Sequence, residues 1–200
     1  MGNNIKYGSF LFAFALLCFS CRTTNVVKYY EHNHQTLDSI EASYKQQYKQ
    51  NRFSVEFTDK TFKNVSLELF TDTIKYIYEF GIDEARMNDS LNKYHISPAG
   101  IHHLIEKMRS IKCTWINSLD YYINGKKDLM IYLSIRPRLI TFPLTQKKYL
   151  ILTYYSQAQY YDTEGRLLDR RKRKSLRKIN GEIYRRITDR VAYTVSVNFR

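Results

Sequence analysis

The chain has 200 residues, of which 44% are hydrophobic and 26% are charged. This composition is typical of a globular protein and excludes a disordered or collagen-like chain. The 32 basic residues exceed the 19 acidic ones and give a formal net charge of +13, which favours acidic partners through long-range, salt-sensitive attraction.

The first apolar segment of the chain is too short to span a membrane comfortably. Lys6 precedes an uncharged run from Tyr7 to Ser20, whereas about 20 apolar residues are needed to cross about 30 Å of hydrocarbon. A basic start, a short apolar run and a small residue at its end are typical of a secretory signal peptide. Cleavage before Cys21 would leave its thiol on the first residue, available for acylation. Myristoylation of Gly2 is rejected, because Lys6 stands where that motif has Ser or Thr.

The residues around this cysteine resemble the signal peptides of bacterial lipoproteins, with residues 17–21 (LCFSC) as the lipobox. Loose lipoboxes of this kind are similar to those of Bacteroidetes lipoproteins. The resemblance covers only the N-terminal stretch, and it implies a signal peptide over residues 1–20 and an acyl (palmitate) anchor on Cys21. Because residues 22–25 lack the acidic tag that resembles the surface-export signal of those proteins, we expect attachment to the outer membrane on its periplasmic side rather than at the surface. An ordinary cleaved signal and an uncleaved anchor are the alternatives.

One cysteine, Cys113, remains once Cys18 has left with the signal peptide and Cys21 carries lipid. The mature chain therefore has no intrachain disulfide. A lone cysteine just past an amphipathic helix is expected to be a small buried hydrophobic residue.

The mature chain is predicted to begin with the lipidated cysteine and a polar tether, residues 21–35, followed by a single domain over residues 36–200. A helix is predicted over residues 36–50, with Thr36 as its N-cap and an apolar stripe along one face. Hydrophobic and polar residues then alternate over residues 53–58, 65–69 and 74–80. That period of two predicts an antiparallel meander with one buried face.

Two helices are predicted to interrupt the strands. The first covers residues 83–94. The second starts at Ser97-Pro98, where serine is the cap and proline occupies the first helical position. Apolar residues follow at helical spacing, at Ile101, Leu104, Ile105, Met108 and Ile111.

Strands are predicted to return after Cys113. Residues 115–123 and 128–135 flank Asn124-Gly125, a strong hairpin turn because both residues tolerate positive φ. Residues 129–133 and 149–152 are apolar on both faces, which predicts strands in the middle of a sheet with both faces covered.

The C-terminal part of the domain is predicted to be a series of strands and turns. A strand over residues 149–161 turns at residues 162–165, a second turn lies at Asn180-Gly181, and residues 191–199 alternate as a final strand. The predicted fold class is α+β, with two or three helices packed on a mainly antiparallel sheet.

The most unusual feature of the domain is its basic segment from Arg166 to Arg190. A strand closing on Asn180-Gly181 would place Ser175 opposite Arg186, whereas a helix would end at the same Asn-Gly pair. The sequence leaves both conformations open. The residues expected to bind an anionic partner are Arg170, Arg171, Lys172, Arg173, Lys174, Arg177, Lys178, Arg185 and Arg186.

Two interpretations of this basic segment stay open. It binds an anionic surface, where each basic residue contributes on the order of 1 kcal/mol and a lipid anchor supplies the second attachment signal. Alternatively, it is a solvated edge whose arginines maintain solubility and prevent strand pairing. An exported protein meets anionic headgroups and acidic envelope proteins, so nucleic acid is not an expected partner.

The sequence carries no motif of the common catalytic classes, and its histidines lack the spacing of a metal site. We therefore predict neither cofactor nor enzymatic activity, but a membrane-anchored envelope lipoprotein with a binding or scaffolding role. One alternative is a periplasmic carrier of an apolar ligand, with a cavity lined by residues 129–133 and 149–152. Another is an inhibitor or immunity-type lipoprotein.

The acyl anchor can be tested by the intact mass of the protein extracted from membranes. We expect a chain that starts at Cys21 and carries additional acyl mass, because cleavage must precede acylation of the new N-terminus. A mass that retains the initial methionine, or one without acyl groups, would contradict the prediction.

Overall fold

The computed structural model describes residues 4–49, 51–71, 73–123, 126–135, 149–170 and 172–196. The chain divides into two compact units, Met1–Leu37 and Asp38–Arg200. Helix α1 (Asn4–Tyr48) includes most of the first unit and opens the second. Within the described residues, no helix combines the length and the apolar character that crossing a membrane requires.

The predicted start of the first helix is wrong. Thr36 is not an N-cap, because the chain is already helical from Asn4. Residues 25–35, interpreted as a polar tether, are part of the same helix. The physical reason is the absence of any glycine or proline between Gly8 and Gly81, so nothing in this stretch strongly opposes helix. The role of residues 25–35 as a tether stays a prediction.

The three alternating segments form an antiparallel meander, as predicted. Its strands are β1 (Arg52–Phe57), β2 (Asn64–Phe70) and β3 (Lys75–Gly81). In β1 and β2 the apolar residues are buried, whereas the alternation in β3 leaves every second residue exposed. The meander thus has one well-covered end and one open end, at β3.

Both predicted helices after the meander are confirmed. They are α2 (Ala85–Lys93) and α3 (Pro98–Ser110). The Ser97 side chain caps α3 by accepting a hydrogen bond from the Gly100 amide at 3.2 Å, and Pro98 holds the first position. The whole predicted apolar stripe is buried: Ile101, Leu104, Ile105, Met108 and Ile111.

The second half of the chain returns to the sheet as predicted. Its longer strands are β4 (Cys113–Ile123), β5 (Lys126–Ile135), β6 (Tyr149–Tyr155) and β10 (Val191–Ser196). The shorter ones are β7 (Lys178–Ile179), β8 (Glu182–Ile183) and β9 (Arg185–Arg186). The predicted turn at Asn124-Gly125 lies outside the described residues, between the paired ends of β4 and β5. The predicted continuation of β6 to residue 161 is wrong, because the chain leaves the sheet after Tyr155.

The described strands form one eight-stranded sheet in the order β3-β2-β1-β4-β5-β6-β10-β9, beside a two-stranded β7-β8 hairpin. Every pairing between these strands is antiparallel. The fold class is therefore α+β, which confirms the prediction from the sequence.

Strands β5 and β6 lie in the middle of the sheet, and both of their faces are covered, as predicted. Ile131 is paired with Ser118, which contacts α1, so this face lies on the helix side. On the opposite face Met130 is paired with Tyr155, and both belong to a second hydrophobic cluster. The segment that follows β6 covers this second cluster.

The meander joins the rest of the sheet through a short seam between β1 and β4. Their paired residues are Val55 with Ile116 and Glu56 with Trp115. If this register continued by two residues, Phe53 would face Ser118. At that point the hydroxyl of Tyr44 contacts both Phe53 and Ser118. It donates to the Phe53 carbonyl at 2.5 Å and lies 3.1 Å from the Ser118 hydroxyl.

Tyr44 is fully buried, and its ring packs on that of Phe53 with centroids 4.7 Å apart. Burial raises the pKa of its hydroxyl well above the ordinary value, so the group stays a neutral hydrogen-bond donor. A residue of α1 therefore provides the polar link between the two parts of the sheet at the point where their described ladder ends.

Replacing Tyr44 with phenylalanine should lower the free energy of unfolding by about 1–3 kcal/mol, because the buried Phe53 carbonyl loses its donor. Chemical denaturation followed by circular dichroism measures this change. Tyr48→Phe is the matched control, since its hydroxyl lies 3.3 Å from Asp120 in a partly exposed position. Equal effects of the two substitutions would contradict the special role of Tyr44.

Candidate functional site

The segment over residues 156–190 folds over the second face of the sheet through two tight turns. The first was predicted at residues 162–165 and is confirmed: Tyr161 and Leu167 form an antiparallel bridge across it. The Asp162 carboxylate accepts hydrogen bonds from the Glu164 and Arg166 amides at 3.0 and 2.7 Å. Gly165 adopts φ 72°, a conformation that favours glycine.

The second turn, at Asn180-Gly181, closes the β7-β8 hairpin and is also confirmed. Both residues have positive φ, 51° and 80°, as a two-residue type I′ turn requires. The helical alternative for the basic segment is wrong, because the described part of residues 170–177 contains no helix.

The strand alternative is correct only near the turn. The hairpin register ends at Lys178 paired with Ile183, so Ser175 does not face Arg186. The reason is that Leu167 lies between the two arms of the expected hairpin. Its amide donates to Tyr184 at 2.8 Å, and its carbonyl accepts from the Arg177 amide at 2.9 Å. The arms separate to admit this inserted strand, and Arg186 pairs with β10 instead.

A tyrosine-rich hydrophobic cluster lies beneath the basic segment. Tyr155, Leu167 and Tyr184 are its large buried members, and they pack with Met130, Ile151 and Ala192. Tyr161 is partly buried against them, and burial raises its pKa to about 12 even though nearby Arg186 acts to lower it. Burial also raises the pKa of Tyr155 and Tyr184. These phenols stay neutral near pH 7 and supply no negative charge to the cations above them.

Three of the predicted anion-binding arginines have partners within the chain. The guanidinium carbon of Arg173 lies 4.2 Å from the Tyr160 ring centroid, and its Nη2 donates to the tyrosine hydroxyl at 3.1 Å. Arg170 Nη2 donates to Gln157 at 3.2 Å, while its buried Nη1 has no acceptor among the described residues. Arg186 donates to Asp189 at 2.6 Å.

Four other predicted residues are exposed and make no side-chain hydrogen bond or ion pair to another described residue. They are Lys172, Lys174, Lys178 and Arg185. Arg177 is half-buried. Burial raises the pKa of Tyr155 and Tyr132, even though the charge of Arg177 acts to lower each. Arg171 lies outside the described residues.

The acidic side chains of the segment are already engaged. Asp162 and Glu164 pair with Arg166, which is not one of the nine predicted residues, at 2.7 and 3.2 Å. Asp189 pairs with Arg186, and Glu182 accepts a hydrogen bond from the Ser196 hydroxyl at 2.9 Å. Asp169 accepts from the Lys172 amide at 2.8 Å. In the described part of the segment, no ion pair joins an acidic side chain to one of the four exposed cations.

Sequence reasoning missed the contact between Tyr160 and Arg173. It joins residues thirteen positions apart in the chain. A tyrosine near a basic run is a weak signal, because tyrosine is common in sheets.

The remaining candidates from the sequence are Cys21, the histidines and the predicted apolar cavity. The Cys21 backbone lies within α1, and acylation of this residue stays a prediction. In the described ranges, no group of His, Cys, Asp and Glu residues could hold a metal ion. The side chains of residues 129–133 and 149–152 that face away from the helices include Met130 and Ile151, which pack into the tyrosine-rich cluster.

No family model, curated protein or solved structure matches this chain.

Cys113 is buried, as predicted, and lies at the start of β4. Burial raises the pKa of its thiol to about 12, and the thiol donates a hydrogen bond to the Trp115 carbonyl at 3.4 Å. The thiol is therefore protonated and inaccessible at pH 8, unlike an activated nucleophile.

Alkylation followed by peptide mapping tests this assignment. The peptide that contains Cys113 should remain unmodified in the native protein at pH 8 and become modified after unfolding. Rapid native modification would contradict a purely structural thiol.

Proposed function

We propose that the protein is a lipid-anchored component of the bacterial cell envelope, held by Cys21. It binds anionic headgroups through the exposed cations of the basic segment, which together form its basic surface. Its role is binding or scaffolding without catalysis. The observation that carries the proposal is a group of four exposed cations that form no ion pair with a described acidic side chain: Lys172, Lys174, Lys178 and Arg185.

The contacts that hold the described part of the basic segment against the sheet support this proposal. The turns around Gly165 and Gly181 and the buried Leu167 hold the cationic segment against the sheet, so fewer conformations are lost when it binds. The stacking of Arg173 on Tyr160 fixes one guanidinium in place and leaves part of its donor edge open. A solvated edge kept only for solubility would not require such fixed arginines.

Electrostatics explains why a lipid anchor and this surface act together. A single acyl signal gives marginal membrane attachment, and a basic patch supplies the second signal. Each basic residue near an anionic surface contributes about 1 kcal/mol. Since such attraction is screened by salt, the contribution of the surface should fall as ionic strength rises.

Vesicle binding by a chain of residues 22–200, which lacks the acyl site, measures the surface alone. The chain should bind anionic vesicles at low salt, bind neutral vesicles weakly, and dissociate from the anionic ones at high salt. Replacing three lysines of the basic segment together by alanine should weaken binding to anionic vesicles on the order of 100-fold. These residues are Lys172, Lys174 and Lys178.

The matched control replaces Lys49, Lys63 and Lys93, which are exposed lysines elsewhere, and changes the net charge equally. It should weaken binding only a few-fold, through the long-range field. Equal losses in the two triple variants, or equal and salt-insensitive binding to both vesicle types, would contradict the proposal. If the chain binds an acidic envelope protein but not anionic vesicles, the partner is that protein and not the headgroups.

A further inference from the structure

The outer edge of β3 is the strongest unassigned feature outside the basic surface. β3 is the end strand of the described sheet, and no described strand lies beyond it. Ile77 is 57% exposed at its centre. The strand contains no proline, and its register with β2 has no bulge, so it lacks two of the usual features that prevent edge pairing.

The hydrogen bonds at both ends of the β2–β3 ladder determine which groups of β3 face outward. Ile82 donates to the Lys63 carbonyl, and Thr71 donates to the Ile74 carbonyl, each at 2.9 Å. In an antiparallel ladder, hydrogen-bonded and non-hydrogen-bonded pairs alternate. The even-numbered residues of β3 therefore bond to β2, and the amides and carbonyls of the odd-numbered residues, centred on Ile77, point away from the sheet.

The side chains of the same odd-numbered residues are self-complementary. Lys75 and Glu79 lie two positions on either side of Ile77, on the same face and exposed. Glu79 makes no hydrogen bond or ion pair to another described residue. If two copies pair antiparallel with Ile77 opposite itself, Lys75 of each copy lies opposite Glu79 of the other.

We propose that two copies of this chain associate through β3 in this register, which joins their sheets across a two-fold axis at Ile77. The Lys75–Ile77–Glu79 main chains form the hydrogen bonds, and the two Lys75–Glu79 pairs select the register. A register centred on Lys75 or on Glu79 places like charges opposite each other, which is destabilising. Registers centred between these residues leave both charges opposite uncharged residues.

The opposite face agrees with this pairing. Tyr76 and Tyr78 are half-buried and stack with ring centroids 6.3 Å apart. In the proposed register Tyr76 of one copy lies opposite Tyr78 of the other, so the aromatic row continues across the axis. Aromatic cross-strand pairs are among the favourable ones. The pairing is isologous, so it closes at a dimer and does not continue into a fibre.

Sedimentation velocity of the full chain in detergent, over a range of concentrations at about 0.15 M salt, tests the proposal. The wild-type chain should show a reversible monomer–dimer equilibrium. Glu79→Lys should raise the dimer dissociation constant about tenfold or more, because Lys75 then faces a like charge in both pairs. Glu106→Lys makes the same charge change on α3, where Glu106 is exposed, and should leave the equilibrium unchanged.

Mixing two variants with complementary charges tests the Lys75–Glu79 pairing directly. Lys75→Glu and Glu79→Lys should each associate poorly alone and associate with each other when mixed, because one chain is then positive at both positions and the other negative. Lys75 also pairs with Glu68 at 3.0 Å within its own chain, so circular dichroism must confirm that Lys75→Glu folds.

Ile77→Pro is the variant that does not depend on charge. It removes an outward amide while keeping the ladder to β2, a position where an edge strand accepts proline. It should abolish the dimer without unfolding the chain. A wild-type chain that stays monomeric, a dimer that survives Ile77→Pro, or a mixture no more associated than its components would overturn the proposal.

Discussion

The contact of the Tyr44 hydroxyl with Phe53 and Ser118 is the interaction on which the arrangement of the sheet depends. The meander β1–β3 and the larger group β4–β10 share only a short described ladder at Val55–Ile116. Where that ladder ends, a buried hydroxyl from α1 satisfies a strand carbonyl that would otherwise lose its partner. The helix thus contributes hydrogen bonding to the sheet in addition to apolar burial.

The second face of the sheet shows how a strongly basic segment can be held in place. The two arms of the β7-β8 hairpin do not continue as one long ladder, because their register ends at Lys178 paired with Ile183. Instead the buried Leu167 inserts between the hairpin arms, and neutral tyrosines form the layer beneath. The phenols beneath the cations are neutral near pH 7 and supply no counter-charge to them.

The basic surface and the open edge of β3 lie in different parts of the domain and have different chemistry. The basic surface lies over β5, β6 and β10, whereas the open edge of β3 is at the far end of the strand order. An anionic partner at one part and a second copy at the other do not compete for the same residues. Two copies would present two basic surfaces, and their combined binding would exceed that of either alone.

Features that depend on a few neighbouring residues could be predicted from the sequence. The period of two in β1 and β2, the Ser97-Pro98 helix start and the Asn180-Gly181 turn each follow from a few neighbouring residues, and the structure confirms them. The α+β class and the central position of β5 and β6 followed from patterns of the same kind.

The start of α1 was missed because a weak cap signal at Thr36 competed with a long stretch that lacks helix breakers. Other features depend on distant residues and are seen only in the folded chain. The path of the basic segment depends on Leu167 entering between the hairpin arms, and the anchoring of Arg173 depends on Tyr160. A local sequence pattern does not show which distant side chain fills a gap, because the packing of the whole domain determines this.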